Sequence, residues 1–156
     1  MSQQFALFNS PQTELTSDDY YTPKWIFDTL DVHFDIDVAA PDNGPAFTPC
    51  TTYYTKETDG LTQEWSGNVF MNPPFSNAKP WVEKFVKHNN GIAILPFAKS
   101  KWFNDLWDLD IAIVALPSSM KYENPTGKSG SIFLPSMILA LNKPNMNAIS
   151  KIGKVR

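Results

Sequence analysis

Apolar positions along the chain switch repeatedly between a helical period of about 3.6 residues and short alternating or continuous runs, and each switch marks an element. Residues 24–30 follow Pro23 and place Trp25, Ile26, Phe27 and Leu30 on one stripe, which predicts a short amphipathic helix. Residues 32–40 alternate and then turn wholly apolar around Asp35 and Asp37, as a buried strand with an acidic end does. Residues 41–64 are rich in Pro, Asn, Thr and Gly and read as loop, with a short strand at Tyr53-Tyr54. A connection that long usually serves function. Residues 68–71 predict a strand that stops at Asn72-Pro73-Pro74-Phe75, because a proline cannot donate to a ladder. A helix at 78–88 carries Trp81, Val82 and Phe85 on one side, and a buried strand at 91–96 precedes a helix at 101–106 and a strand at 111–116. After a loop at 117–129, residues 131–134 and 137–141 read as two further strands, the antiparallel hairpin that closes such a sheet. Strand and helix alternate throughout, so the fold expected is a doubly wound α/β domain with ligands at the carboxyl ends of its strands.

Length and charge narrow the picture. At 156 residues the chain suits one domain with a sizeable core, drawn here as a loose arm at 1–18, a folded domain at 19–143 and a basic tail at 144–156. The net charge of -3 argues against a protein that holds nucleic acid mainly by charge. A local basic cleft remains compatible with it, and Lys99, Lys101, Lys121 and Lys128, near loops of the second half, are its candidates. No apolar run is long enough to span a bilayer and the first residues lack a secretory pattern, so a cytoplasmic location is expected. Cys50 is the single cysteine, which excludes an internal disulfide and a cysteine-built zinc site; His33 and His88 alone do not complete a metal cage. No metal is therefore expected.

Three segments carry chemistry. In Asn72-Pro73-Pro74-Phe75 the prolines stiffen the turn and free a carbonyl to point outward. An Asn72 side-chain oxygen and a Pro73 carbonyl that both accept from one amino group would hold it and raise the electron density on its nitrogen, with Phe75 stacking on the attached ring. Asp37 ends a strand and is followed by Ala39 and Ala40, small enough for a ligand to approach the backbone. Asp59-Gly60-Leu61, ahead of Trp65, sets another carboxylate before the Pro-Pro strand, although Asp-Gly by itself is a turn. Trp25, Trp81, Phe85, Trp102 and Phe103 have spacings that suit burial; only Phe75, with Trp102 second, is read as a stacking ring.

Tyr20-Tyr21-Thr22-Pro23, then Asp35 to Ala40, then Asp59-Gly60-Leu61 with Trp65, then Gly67 to Phe75, follow one another in an order that resembles the bacteriophage-type DNA N-6-adenine methyltransferases, the Dam family. The likeness runs from residue 19 to about 141. It implies a single-domain, Rossmann-like fold with a mostly parallel twisted sheet, S-adenosylmethionine as cofactor and double-stranded DNA as partner, in a host cytoplasm if phage-encoded. It assigns Tyr21, Thr22 and Pro23 to the methionine end of the cofactor, Asp37 and Ala39 to its neighbourhood after the first strand, and Asp59 to its adenine. Asn72, Pro73 and Phe75 match the motif for the target amine, and residues 99–103 and 122–131 fall where the family has loops near the substrate. A glycine-rich turn after Asp37 is missing, with Ala39-Ala40-Pro41-Asp42-Asn43-Gly44 in its place. The chain is too short for a separate recognition domain, which leaves sequence reading to loops such as 121–131.

The implied chemistry needs a nitrogen lone pair in line with a sulfonium methyl, and a base flipped out of the duplex. The same two acceptors serve any flat NH2 group, so a methyltransferase of RNA bases or of protein glutamine is the runner-up. A catalytically silent phage protein that binds cofactor or DNA is the reading from another class. An oxidoreductase domain is disfavoured by the lack of G-x-G-x-x-G after the first strand. The target sequence, any preference for hemimethylated DNA and the choice between monomer and homodimer stay open.

Overall fold

A computed structural model of the chain describes residues 21–98, 100–117 and 135–156. In chain order these hold α1 (Lys24–Leu30), β1 (Phe34–Asp37), β2 (Cys50–Tyr53), β3 (Val69–Met71), α2 (Lys79–His88), β4 (Gly91–Pro96), α3 (Lys101–Leu106), β5 (Ala112–Ala115), β6 (Ser136–Leu141) and α4 (Lys143–Ile149). A single turn of 3-10 helix, Phe75–Asn77, precedes α2. The strands form one sheet in the order β2-β1-β3-β4-β6-β5. β2, β1, β3 and β4 pair in parallel, whereas β6 runs antiparallel to both β4 and β5.

The sheet is thus mixed, where the sequence predicts a mostly parallel one. All six residues of β6 are buried, and a strand apolar on both faces belongs inside a sheet rather than at its edge. β6 accordingly sits between β4 and β5. The hairpin expected from 131–134 and 137–141 cannot be drawn, since 131–134 lie outside the described residues.

Two apolar layers cover the sheet. Ile26, Phe27 and Leu30 of α1 and Ala148 and Ile149 of α4 pack with Phe70, Ile92, Ile94 and Ile138. Trp81, Val82 and Phe85 of α2 and Leu106 of α3 pack with Val69, Met71, Ala93 and Leu139. Successive residues of β3, β4 and β6 therefore alternate between the layers, as a pleated strand buried on both faces requires. β1 breaks the alternation. The amides of Asp35 and Ile36 both point at the Asn68 carbonyl, at 2.8 and 3.5 Å, so Phe34 joins the α1 layer while Ile36 joins the other. Downstream of this offset Asp37 pairs with Phe70.

α1 begins after Pro23 and ends at Asp31, whose positive φ of 53° turns the chain out of the helix. Trp25 does not share the buried stripe predicted for it. In seven residues only Ile26, Phe27 and Leu30 face inward, and the indole at Trp25 is 39% exposed. Trp102 and Phe103 are half-buried.

The segment drawn from sequence as a basic tail contains α4. Asn142 caps it by accepting from the Asn145 amide at 3.2 Å, and Arg156 returns to the sheet by donating its amide to Ile113 at 2.9 Å. Asn145 is 2% exposed and locks α4 to the amino ends of the central strands. Its Nδ2 donates to Asn68 Oδ1 at 2.7 Å and to the Leu141 carbonyl at 3.0 Å, and Asn68 Nδ2 returns a bond to Asn145 Oδ1 at 3.2 Å. Asn145→Ala strands these buried partners and is expected to lower stability by about 2–3 kcal/mol in urea unfolding. A loss below about 0.5 kcal/mol would show that water replaces the lost amide.

Candidate active site

β1 leads the chain to β2 on one side while its other neighbour, β3, leads away to β4, so the chain diverges at the carboxyl ends of β1 and β3. Open α/β sheets bind ligands at such points. A cleft of about 440 Å³ opens there, and Tyr21, Thr22, Asp37, Ala39, Asp59 and Asn72 all line it. Residues up to 60 positions apart in sequence, from Tyr21 to Trp81, thus meet around one space. Pro23 and Pro73 are buried and outside the lining, and Pro74 contributes to the wall instead. Phe75 is half-buried and packs against the α1 layer.

Asn72 follows the last residue of β3. Two prolines end the ladder there, and the Pro74 carbonyl then accepts from the Asn77 amide at 3.1 Å to form the turn that leads into α2. Asn72 Nδ2 donates to Thr22 Oγ1 at 2.8 Å. With its amide nitrogen held by Thr22, the Asn72 side chain offers Oδ1 as an acceptor.

Asp37 is 3% exposed at the end of β1. Burial drives its carboxyl from the ordinary 3.8 up to about 7, against hydrogen bonds from the Thr48 side chain and the Ala39 amide that favour the charged form. Among the described residues no lysine or arginine pairs with it. Its carboxyl faces the cleft. Burial and the neighbouring Asp37 charge together push the Cys50 thiol up to about 11, so it stays protonated and unreactive near neutral pH.

The opposite wall is the loop that begins at Asp59. Asp59 has a positive φ of 55°, and its Oδ1 accepts from the Leu61 amide at 3.2 Å. Gly60 presses on Val38, just past β1: a Cβ there would stand 2.0 Å from the Val38 carbonyl oxygen and 3.2 Å from the Trp81 ring. Gly60→Ala is therefore expected to lower the melting temperature by roughly 5 °C or more and to weaken ligand binding in the cleft, because a backbone carbonyl has to move. Calorimetry of the variant with an unchanged melting temperature would show that the loop shifts at no cost.

The family model for DNA N-6-adenine-methyltransferase (Dam) matches residues 9–119. The chain belongs to that family. No match is found among the curated proteins or among the solved structures. DNA N-6-adenine methylation is the reaction of the Dam family, and the matched stretch contains every cleft residue named above.

Several residues of the Dam-family cleft escape sequence reading. Thr48 reaches Asp37 from the 41–49 loop, and Phe47, Lys56 and Trp81 are among the further lining residues. Nothing periodic marks Thr48 or Phe47, since a loop's contacts follow from its path through space. Trp81, assigned from its spacing to the core, is both 8% exposed and part of the wall. Of the lysines read as DNA contacts, Lys99, Lys121 and Lys128 lie outside the described residues. The side chain of Lys101 is 88% exposed and pairs with Asp105 at 2.9 Å.

Proposed function

We propose that this Dam-family chain transfers a methyl group from S-adenosylmethionine to the exocyclic amine of an adenine flipped out of duplex DNA, on a Rossmann-like methyltransferase scaffold. The observation that carries this reading is the shared cleft, in which Asn72 at the end of β3 and Asp37 at the end of β1 open into one space. The lining also fits the cofactor. Asp37 offers a buried carboxylate to a cationic group, and Phe70 and Trp81 supply apolar wall.

When bound, S-adenosylmethionine supplies an electrophilic methyl on a sulfonium. Asp37 would hold the cationic methionine end, with Tyr21, Thr22, Pro23 and Ala39 on that side, and Asp59 would accept from the cofactor's adenine amine. Asn72 Oδ1 and the Pro73 carbonyl accept the two amine hydrogens of the target base. As the nitrogen acquires positive charge its N–H groups become stronger donors, so both bonds tighten towards the transition state. Phe75, beside this turn, is the ring assigned to the flipped base. Lys99, Lys101, Lys121 and Lys128 are assigned to phosphates, and Lys101 exchanges its Asp105 partner for one of them.

Transfer of labelled methyl to unmethylated duplex DNA, followed by digestion to nucleosides, tests the proposal. N6-methyladenine is the expected product. Label that appears only in RNA or in protein glutamine would replace the substrate, and cofactor binding without turnover on any of the three would make the protein a silent binder.

A further inference from the structure

α2 sends one cation to the back of the cleft wall. Lys84 Nζ donates to the Leu61 carbonyl at 2.8 Å and to the Gln63 carbonyl, with the Gly60 carbonyl farther off at 3.5 Å. The ammonium also lies 5.0 Å over the Trp65 ring, and Trp65 Nε1 donates to the same Gly60 carbonyl at 2.8 Å. An ammonium has three protons and no lone pair, so it can only donate to the carbonyls that converge on it. All of these acceptors belong to the loop that carries Asp59 and Gly60 into the cleft. Lys84 itself is not among the residues that line the cleft.

We propose that Lys84 is a positioning residue for cofactor binding: by gathering the carbonyls of Gly60, Leu61 and Gln63 from behind, it holds Asp59 and Gly60 in the shape that receives the cofactor. The inference rests on the functional reading above for the identity of the ligand and on the hydrogen bonds alone for the clamp. Burial lowers the pKa of Lys84, while the Asp59 and Glu64 carboxylates oppose that shift. Gly60 against Val38 and Trp65 against Trp81, stacked with centroids 6.5 Å apart, hold the same loop from the sheet side and the helix side. The loop turns on itself at Thr55–Thr58–Asp59 and at Asp59–Leu61–Thr62, and Gln63 Nε2 donates to the Thr58 carbonyl; the Leu61 and Gln63 carbonyls are reached by Lys84 from α2.

Lys84→Met keeps the aliphatic stem over Trp65 and removes the donors. Calorimetric titration with S-adenosylmethionine is expected to show binding roughly tenfold weaker or worse, with methyl transfer at saturating cofactor within about twofold of native. Amide exchange at Leu61 and Thr62 is expected to accelerate in the variant while exchange in β4 and β6 stays native. Lys84→Arg, which restores a cationic donor, recovers most of the affinity. Native affinity together with native exchange at Leu61 and Thr62 overturns the proposal. A native protein that binds no S-adenosylmethionine sinks the functional reading instead, and the exchange comparison then decides the clamp on its own. Lys84→Gln, with a shorter neutral donor, gives the same comparison if the methionine variant does not fold.

Discussion

Asn72→Ala is expected to reduce methyl transfer to DNA by about 10²–10³-fold at saturating S-adenosylmethionine, the size of effect seen when one preorganised partner of a developing charge is removed. An amine conjugated into a purine ring is a weak nucleophile, and its nitrogen turns positive as the methyl arrives. On the proposed reading two acceptors that meet its hydrogens compensate for that charge, and the truncation would leave only the Pro73 carbonyl. Stability is expected to change far less. Asn72 is half-buried and, among the described residues, its side chain bonds Thr22 at 2.8 Å, so the loss is about 1 kcal/mol and the variant stays folded. Cofactor affinity is expected to stay near native, which places the defect in kcat. Single-turnover transfer of labelled methyl measures the step directly. A rate within about threefold of native would remove Asn72 from the amine site.

Asp37→Asn is expected to weaken S-adenosylmethionine binding by roughly tenfold to a hundredfold and to abolish a pH dependence that the native protein shows. In the ligand-free protein the Asp37 carboxyl titrates near 7. A cation beside it favours the charged form, so binding below pH 7 releases a proton. Native affinity is therefore expected to rise with pH by up to about tenfold per pH unit below 7 and to level above it. The ammonium of the ligand titrates identically with both proteins, and the difference between native and variant curves isolates Asp37.

Stability runs in the opposite direction. A carboxyl whose folded pKa is raised contributes stability that is complete below about 4 and is lost as pH rises through about 7, because the unfolded chain gives up its proton first. A rise from 3.8 to about 7 corresponds to roughly 4 kcal/mol. Urea unfolding of the ligand-free native protein between pH 4.5 and 8, against the asparagine variant, is expected to show this decline in the native chain alone. Parallel curves would mean that water reaches the carboxylate.

Local pattern accounts for much of the architecture. The helix bounded by Pro23, the continuous apolar run at 91–96 and the helix at 101–106 have the limits that the amino-acid order predicts, because each is set by residues adjacent in the chain. The turn at Asn72 was legible for the same reason, since two prolines end a ladder wherever they stand. β1 is shorter than the predicted 32–40, and β2 begins at Cys50 rather than Tyr53, because their limits follow from pairing with Pro49, Asn68 and Phe70. The antiparallel insertion of β6 and the docking of α4 depend on partners far along the chain, and an asparagine network such as that of Asn145 has no periodic signature.

The site divides along the same line. Residue type and position singled out Asp37, Ala39, Asp59 and Asn72, since a carboxylate at a strand end and an asparagine before two prolines are local chemistry; Tyr21 and Thr22 came from the resemblance to the Dam family, and Pro23, Pro73 and Phe75, singled out with them, do not line the cleft. Only the folded chain decided that Tyr21, Thr22, Asp37, Ala39, Asp59 and Asn72 line one cleft, that Thr48 approaches Asp37, that Trp25 faces solvent and that Lys84 grips the loop behind Asp59. Burial and hydrogen bonding between distant segments are properties of where the chain passes, and these are what raise the Asp37 pKa and give Lys84 its partners.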